Sequence, residues 1–325
     1  MSDVAQGERE QPGRLGRLGR LGRLGRHVHM PLGFLGAVRE ARAAGYDAVQ
    51  VFPGNPKGWR HAPLAPEAAA RVRAEARDLG VAPIVIHAPY IINVASDDDE
   101  LTAKSARALI NALERAGEIG ARYVVVHAGS HKGKGEEYGI ARVARLVEEV
   151  LPAAPPGVEL LIENSAGAGN VLAGSPAALG RLLAALPARV GACVDTAHLW
   201  GGGSDLSGRE GVERTFAELQ AAVGLERVRV IHLNDSAVAL GSRRDVHARL
   251  GEGAIGLPGL ACWMTHPALR GHHTILETPL EEDPERETMR CAMTRLLLAG
   301  DMEGATTLLG DLRETAEGEG ERKNG

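Results

Sequence analysis

Short apolar runs rich in β-branched residues alternate along this chain with longer stretches in which apolar positions return every three or four residues. The runs at 25–30, 47–52, 82–87, 122–127, 158–163, 190–195, 227–232 and 273–277 have the length and composition of strands. Between them, Ala-, Leu- and Arg/Glu-rich stretches at 34–44, 66–79, 99–119, 136–151, 175–186, 209–223 and 257–268 carry helical periodicity, and a last one fits 284–299. Eight strands, each followed by a helix, predict an α/β fold, a single (β/α)8 TIM barrel. At 325 residues the chain has the usual size for one. The functional site is then expected at the C-terminal ends of the strands.

The two ends break the alternation. Residues 13–26 read G-R-L-G-R-L-G-R-L-G-R-L-G-R, a three-residue repeat carrying Arg14, Arg17, Arg20, Arg23 and Arg26. It lacks the apolar stretch of a signal peptide, and its glycines make it a poor helix. Residues 1–26 are therefore expected to be a low-complexity Arg/Leu/Gly extension whose last residues enter the first strand. The barrel domain is expected over 27–300. Residues 301–325, with more acidic than basic side chains and several Gly, are expected to be a polar, disordered tail.

Composition narrows the class. No apolar run is long enough to span a membrane. Cys193, Cys262 and Cys291 are far apart and form no C-x-x-C pair, which suits a reduced, cytoplasmic enzyme of bacterial type and offers no thiolate metal site. A net charge of −5 argues against bulk basicity as a binding device, and 3% aromatic residues argue against extended base stacking on single strands.

The chemistry lies where the apolar runs stop. They end I-V-I-His87, V-V-V-His127, L-L-I-Glu163, C-V-Asp195-T-A-His198, V-I-His232 and T-I-L-Glu277, and a loop adds Asp245-V-His247. A lone His at a strand end is more often structural than a ligand. Five His and four carboxylates brought to one face are a different matter, because they exceed the needs of one ion. The close spacing of Asp195 with His198, and of Asp245 with His247, lets one strand end or loop reach two neighbouring ions. A multinuclear zinc-type hydrolytic centre is the reading these residues favour.

Several of these stretches carry a family resemblance. I-H-A-P-Y-I-I-N (86–93), V-H-A-G-S-H (126–131), I-E-N-S-A-G-A-G (162–169), C-V-D-T-A-H (193–198), I-H-L-N-D-S (231–236), G-S-R-R-D-V-H-A-R-L-G-E-G-A-I-G (241–256) and L-E-T (276–278) resemble the endonuclease IV family of zinc-dependent apurinic/apyrimidinic endonucleases, over about residues 27–298. The resemblance implies three zinc ions. His87, His127 and Glu163 would hold the first, with Glu163 bridging to a second completed by Asp195, His232 and Glu277. His198, Asp245 and His247 would hold the third. Glu163, Asp245 and His127 are expected to carry catalysis. The implied reaction is hydrolysis of the phosphodiester 5′ to an abasic site in duplex DNA, leaving a 3′-hydroxyl and a 5′-deoxyribose phosphate, with removal of 3′-blocking groups at the same centre.

For DNA contact the resemblance points to Lys57, Tyr90 and Ile91. A ring and an apolar wedge suit the opening of a base step. Lys57 stands where the family more often has Gln or Arg. The Arg-rich extension is either a floppy segment or an arm that touches DNA. The stretch R-H-V-H-M-P-L-G (26–33) departs from the family's A-H-x-S and Gly pair: His27 takes the expected His position, beside the metals or on the phosphate side, and His29 replaces a small Ser. His131 is expected to orient a ligand or touch phosphate, and Glu252 to fix the loop carrying Asp245 and His247. Trp59 is expected to be structural, and His61, His266, His272 and His273 to lie on the surface. A monomer without an obligate protein partner is the default expectation. One competing reading is a sugar isomerase or epimerase on a related barrel, using one metal at Glu163, Asp195, His232 and Glu277. Another is a non-catalytic damage binder or metal-storage protein.

Overall fold

The computed structural model describes residues 22–30, 32–59 and 62–323. Eight parallel strands close into a barrel: β1 (Leu24–His27), β2 (Ala48–Val51), β3 (Ile84–His87), β4 (Tyr123–His127), β5 (Glu159–Glu163), β6 (Gly191–Asp195), β7 (Val228–His232) and β8 (His273–Leu276). Each pairs with its neighbours in sequence, and β1 completes the ring against β8, with Gly25 opposite Ile275. The helices are α1 (Gly33–Ala43), α2 (Pro66–Leu79), α3 (Asp99–Ile119), α4 (Glu136–Val150), α5 (Pro176–Ala184), α6 (Thr196–Gly201), α7 (Arg209–Ala222), α8 (Gly256–Met264), α9 (Pro284–Leu298) and α10 (Met302–Lys323). All eight expected strands and all eight expected helices are present, with ends shifted by a few residues. The six-residue α6 and a short antiparallel ribbon, Asp235–Ser236 against Ala248–His247, were not anticipated.

Strand alternation builds two apolar layers. Outward positions such as Val49, Ile86, Val124, Ile162, Val194 and Ile231 pack with the helices in the main core. Ala48, Val85, Tyr123, Val125, Leu161, Cys193, Val230 and Ile275 form a separate cluster inside the barrel. Two residues further along each strand the same inward face carries His27, Gln50, His87, His127, Glu163, Asp195, His232 and Glu277. Every strand thus contributes one polar side chain to the top of the barrel.

The repeat and the strand overlap. Gly22–Arg26 lies in or beside β1, and a side chain at either glycine would collide with the neighbouring strands. A Cβ at Gly25 would fall 2.6 Å from Ile275 Cδ1 and 2.7 Å from the Ala48 carbonyl carbon, and one at Gly22 would meet the His272 backbone. Arg26 is buried, its Nη1 3.0 Å from Glu287 and its Nη2 donating to the Thr278 carbonyl, so it ties β1 to α9. The units before Gly22, expected to be a low-complexity extension that is either floppy or an arm touching DNA, lie outside the described residues.

The end of the chain corrects an expectation. Met302–Lys323 form α10 rather than a disordered tail, and Ala305, Leu309 and Leu312 are buried on one face of it. Their spacing puts them on one helix face, a signal masked by the acidic residues and glycines around them. Arg286 of α9 donates to the Leu312 carbonyl, and Arg313 donates to the Gly251 carbonyl. Three histidines also depart from the surface role expected of them. His273 opens β8 partly buried against Tyr123, His266 stacks on Phe216 with ring centres 3.8 Å apart, and the partly buried His272 points Nε2 at the Leu225 carbonyl. His61 lies outside the described residues.

Candidate metal centre

The nine expected ligands converge at the C-terminal ends of the strands. Among the described residues, three adjoining groups hold their donor atoms within 4.8 Å of one another: His87, His127 and Glu163; Glu163, Asp195, His232 and Glu277; and Asp195, His198 and His247. Glu163 joins the first two, and Asp195 joins the last two. The third set as expected from sequence also meets. Asp245 Oδ2 is 3.1 Å from His198 Nε2, and its Oδ1 is 3.0 Å from His247 Nε2. Asp195, 3.6 Å from His247 Nε2, is an additional neighbour of that set.

The donor geometry fits cations. Glu163 Oε2 lies 3.3 Å from His87 Nε2 and 3.1 Å from His127 Nε2, and Oε1 lies 3.0 Å from His232 Nδ1. Donors bound to one zinc at about 2.0–2.1 Å are about 3.3–3.4 Å apart in a tetrahedron, close to these separations. His247 Nε2 is more telling. It is buried, lies within reach of two carboxylates, and makes no hydrogen bond to either. Side chains aimed at a common point rather than at each other leave this pattern.

The outer ring nitrogens agree. His87 Nδ1 is 2.7 Å from the Ala88 carbonyl, His198 Nδ1 2.9 Å from the Asn164 carbonyl, and His232 Nε2 2.9 Å from Gln50 Oε1. A carbonyl only accepts, so each outer nitrogen carries a proton, and the inner nitrogen is the one left bare when the ring is neutral.

Carboxylates and imidazoles are concentrated here, and each shifts the other's hold on protons. Burial pushes the Glu163 carboxyl up, but His232 and His127 more than reverse this and hold it well below the usual range. Burial opposes charge on His198 and His232; Asp195 and Asp245 around the first, and Cys193, Glu277 and Glu163 around the second, still raise both. His247 is likewise carried up to about 9, chiefly by Asp195 against the cost of burial.

Other side chains hold the loops. Asp195 caps α6 by accepting from the His198 backbone, which fixes the step between these two residues. Asn164 clasps the Asp195 backbone from both sides, and Asn234 links Asp195 Oδ2 to the Glu277 backbone. Buried Asp235 accepts from the backbone N–H groups of Ser236, Gly251, Gly253, Ile255 and Gly256, pinning the loop that bears Asp245 and His247. Glu252 acts on the same loop from outside through an ion pair with Arg290 of α9. His131 Nδ1 accepts from the Gly135 backbone at the start of α4. Gln50, Asn164, Asn234 and Asp235 had no role assigned from sequence. The available signal was a polar residue inside a buried run, V-Q-V, or directly after a ligand, I-E-N and H-L-N-D.

The side chains expected to touch DNA border the centre unequally. Tyr90 is 62% exposed, its ring 5.2 Å from that of His87 and 5.1 Å from Phe52. Ile91 beside it is half-buried, and Lys57 is exposed on the loop after β2. His27 Nδ1 lies 3.1 Å from Glu277 Oε1, beside the metal-competent groups as expected, while His29 is exposed.

Comparison with known proteins agrees with this geometry. Residues 38–296 match the family of xylose isomerase-like TIM barrels. The probable endonuclease 4 of Chloroflexus aurantiacus is 38% identical over 277 residues, covering 84% of this chain and 97% of that protein. The crystal structure of endonuclease IV from Thermus thermophilus superposes with a TM-score of 0.76 at 37% identity, covering 85% of this chain and 98% of the other. A 3-keto-D-glucoside 4-epimerase from E. coli reaches a TM-score of 0.62 at 14% identity, covering 84% and 99%, a likeness of fold alone. The chain belongs to the endonuclease IV family of xylose isomerase-like TIM barrels.

Proposed function

We propose that this enzyme is an apurinic/apyrimidinic endonuclease that cuts duplex DNA on the 5′ side of an abasic site, and that it also clears blocked 3′ ends. Water adds to phosphorus, the bond to the 3′ oxygen breaks, and that oxygen leaves as a hydroxyl. The reading is carried by one observation: eight metal-competent side chains in three adjoining groups linked through Glu163 and Asp195, with Asp245 set against His198 and His247. Three zinc-type ions held there would supply Lewis acidity toward the phosphate oxygens.

His87, His127 and Glu163 are assigned to one ion, Glu163, Asp195, His232 and Glu277 to the second, and His198, Asp245 and His247 to the third. Four carboxylates under three divalent charges leave the centre net positive, which suits a phosphodiester despite the chain's overall charge of −5. Glu163 keeps two groups in register, and Asp245 and His127, the more open members, border the space a substrate enters. Tyr90 presents a ring beside that space, with Ile91 and Lys57 on the flanking loops to engage the duplex. A sugar isomerase would leave His87, His127, His198, Asp245 and His247 without work.

The test is incision of a duplex carrying one tetrahydrofuran abasic analogue, with metal content measured on the same sample. The analogue lacks the aldehyde needed for β-elimination, so a cut must be hydrolytic. A nick immediately 5′ of the lesion with close to three zincs supports the reading. An intact duplex and a single bound metal refute it.

A further inference from the structure

We infer that Gln50, whose side chain binds no metal, is a positioning residue for this centre: its amide fixes which nitrogen of His232 faces the ions and holds Glu277 beside it. The inference rests on the metal-centre reading above. Gln50 is fully buried at the top of β2, on the inward face that its seven counterparts fill with His, Asp or Glu. Its Nε2 lies 2.5 Å from Glu277 Oε1 and 3.0 Å from His27 Nδ1, and its Oε1 lies 2.9 Å from His232 Nε2.

The orientation follows by elimination. An ionised carboxylate only accepts, so the amide must turn its NH2 toward Glu277. The amide oxygen then faces His232, and because that oxygen also only accepts, His232 must carry a proton on Nε2. A neutral imidazole protonated there has a bare Nδ1. That atom lies 3.0 Å from Glu163 Oε1 and 3.0 Å from Glu277 Oε2, inside the second group. With the amide reversed, NH2 would face His232 Nε2, the proton would move to Nδ1, and that nitrogen could not bind a cation. The acceptor-only character of Glu277 is thus passed through one amide to the ring on the neighbouring strand. A hydrocarbon side chain at position 50 would leave His232 Nε2 buried without an acceptor and Glu277 Oε1 with His27 Nδ1 as its one remaining neighbour of those named.

Two variants test this. Gln50→Leu keeps the approximate size and removes both hydrogen bonds; Gln50→Asn keeps the amide and withdraws its reach. Zinc release to a colorimetric chelator and thermal unfolding of the metal-free proteins are followed for both and for the parent. Outer hydrogen-bond partners of metal-bound histidines typically contribute 10–100-fold in metal affinity. One class of zinc is therefore expected to leave roughly 10–100-fold faster from each folded variant, with the metal-free midpoint close to the parent's. Should Gln50→Leu not fold, Gln50→Asn decides. Parent-like release from either folded variant overturns the inference, as does a fall in the metal-free midpoint as large as that of the loaded protein, which would make Gln50 a packing residue. A parent that holds no metal and leaves abasic duplex intact sinks both this inference and the proposed function. A parent that holds zinc and cuts, beside an indifferent variant, sinks only this one.

Discussion

Asp235→Asn should loosen one loop and leave the barrel standing. Oδ1 of Asp235 accepts from Ser236, Ile255 and Gly256, and Oδ2 accepts from Gly251 and Gly253 at 3.0 Å each. The amide keeps one oxygen and sets an NH2 against at least two backbone N–H donors, whichever way it turns. Hydrogen bonds to a charged acceptor contribute about 1.5–3 kcal/mol each. Losing two would cost about 3–6 kcal/mol if the donors stayed dry. Gly251 and Gly253 are only half-buried, so water recovers part of that and about 2–4 kcal/mol is expected. At about 1.4 kcal/mol per factor of ten, the amides of Gly251, Gly253, Ile255 and Gly256 should exchange roughly thirty- to several-hundred-fold faster. The same loop brings Asp245 and His247 to the centre, so under the proposed three-ion assignment bound metal should fall by about one ion while the other two stay. Hydrogen exchange followed by mass spectrometry, with metal analysis on the same sample, reads both effects. Parent-like exchange across 251–256 with undiminished metal would refute the claim that this carboxylate holds the loop.

Three other outcomes are expected. Tyr90→Ala should weaken binding of abasic duplex roughly tenfold, as removal of one stacking ring does, and leave metal content unchanged; lost metal in that variant would make the ring a support for His87. Ending the chain after Gly300 should lower stability by about 2–4 kcal/mol by removing Leu309 and Leu312 from the core, and an unchanged melting temperature would show that α10 contributes nothing. Metal binding should release protons at pH 7, because His247 is held up to about 9 and His198 and His232 are also raised in the metal-free protein. Apparent affinity should rise as pH increases toward 9, and calorimetry showing no dependence on buffer ionisation heat would mean the rings are already neutral.

The barrel was legible because parallel strands and their covering helices write two different periods into the sequence. The candidate ligands were legible for a related reason: strand alternation places the residue ending an apolar run on the inward face, one layer above the packed interior. Gln50 obeys the same alternation and escaped notice because Val51 and Phe52 follow it, so its run does not stop there. Asp235 was hidden because its five partners are backbone groups, up to 21 residues away and anonymous in a sequence. The C-terminal helix was misread because composition outweighed the spacing of three apolar residues. None of the histidines outside the motifs signalled its burial, since that depends on what packs against it, as Phe216 does against His266.

The tandem repeat has a consequence for inheritance rather than for folding. Any three consecutive residues removed from 13–26 yield one and the same shortened chain, still reading L-G-R-H where β1 begins. Gain or loss of whole three-residue units can therefore change how many precede the barrel but cannot alter the residues that enter it. The glycine that admits Ile275 and Ala48, and the arginine that reaches Glu287, are restored by whichever unit becomes the last. Length variation upstream of the first strand is thereby silent for the barrel, and lines of descent differing only in repeat number should share one fold and one catalytic face.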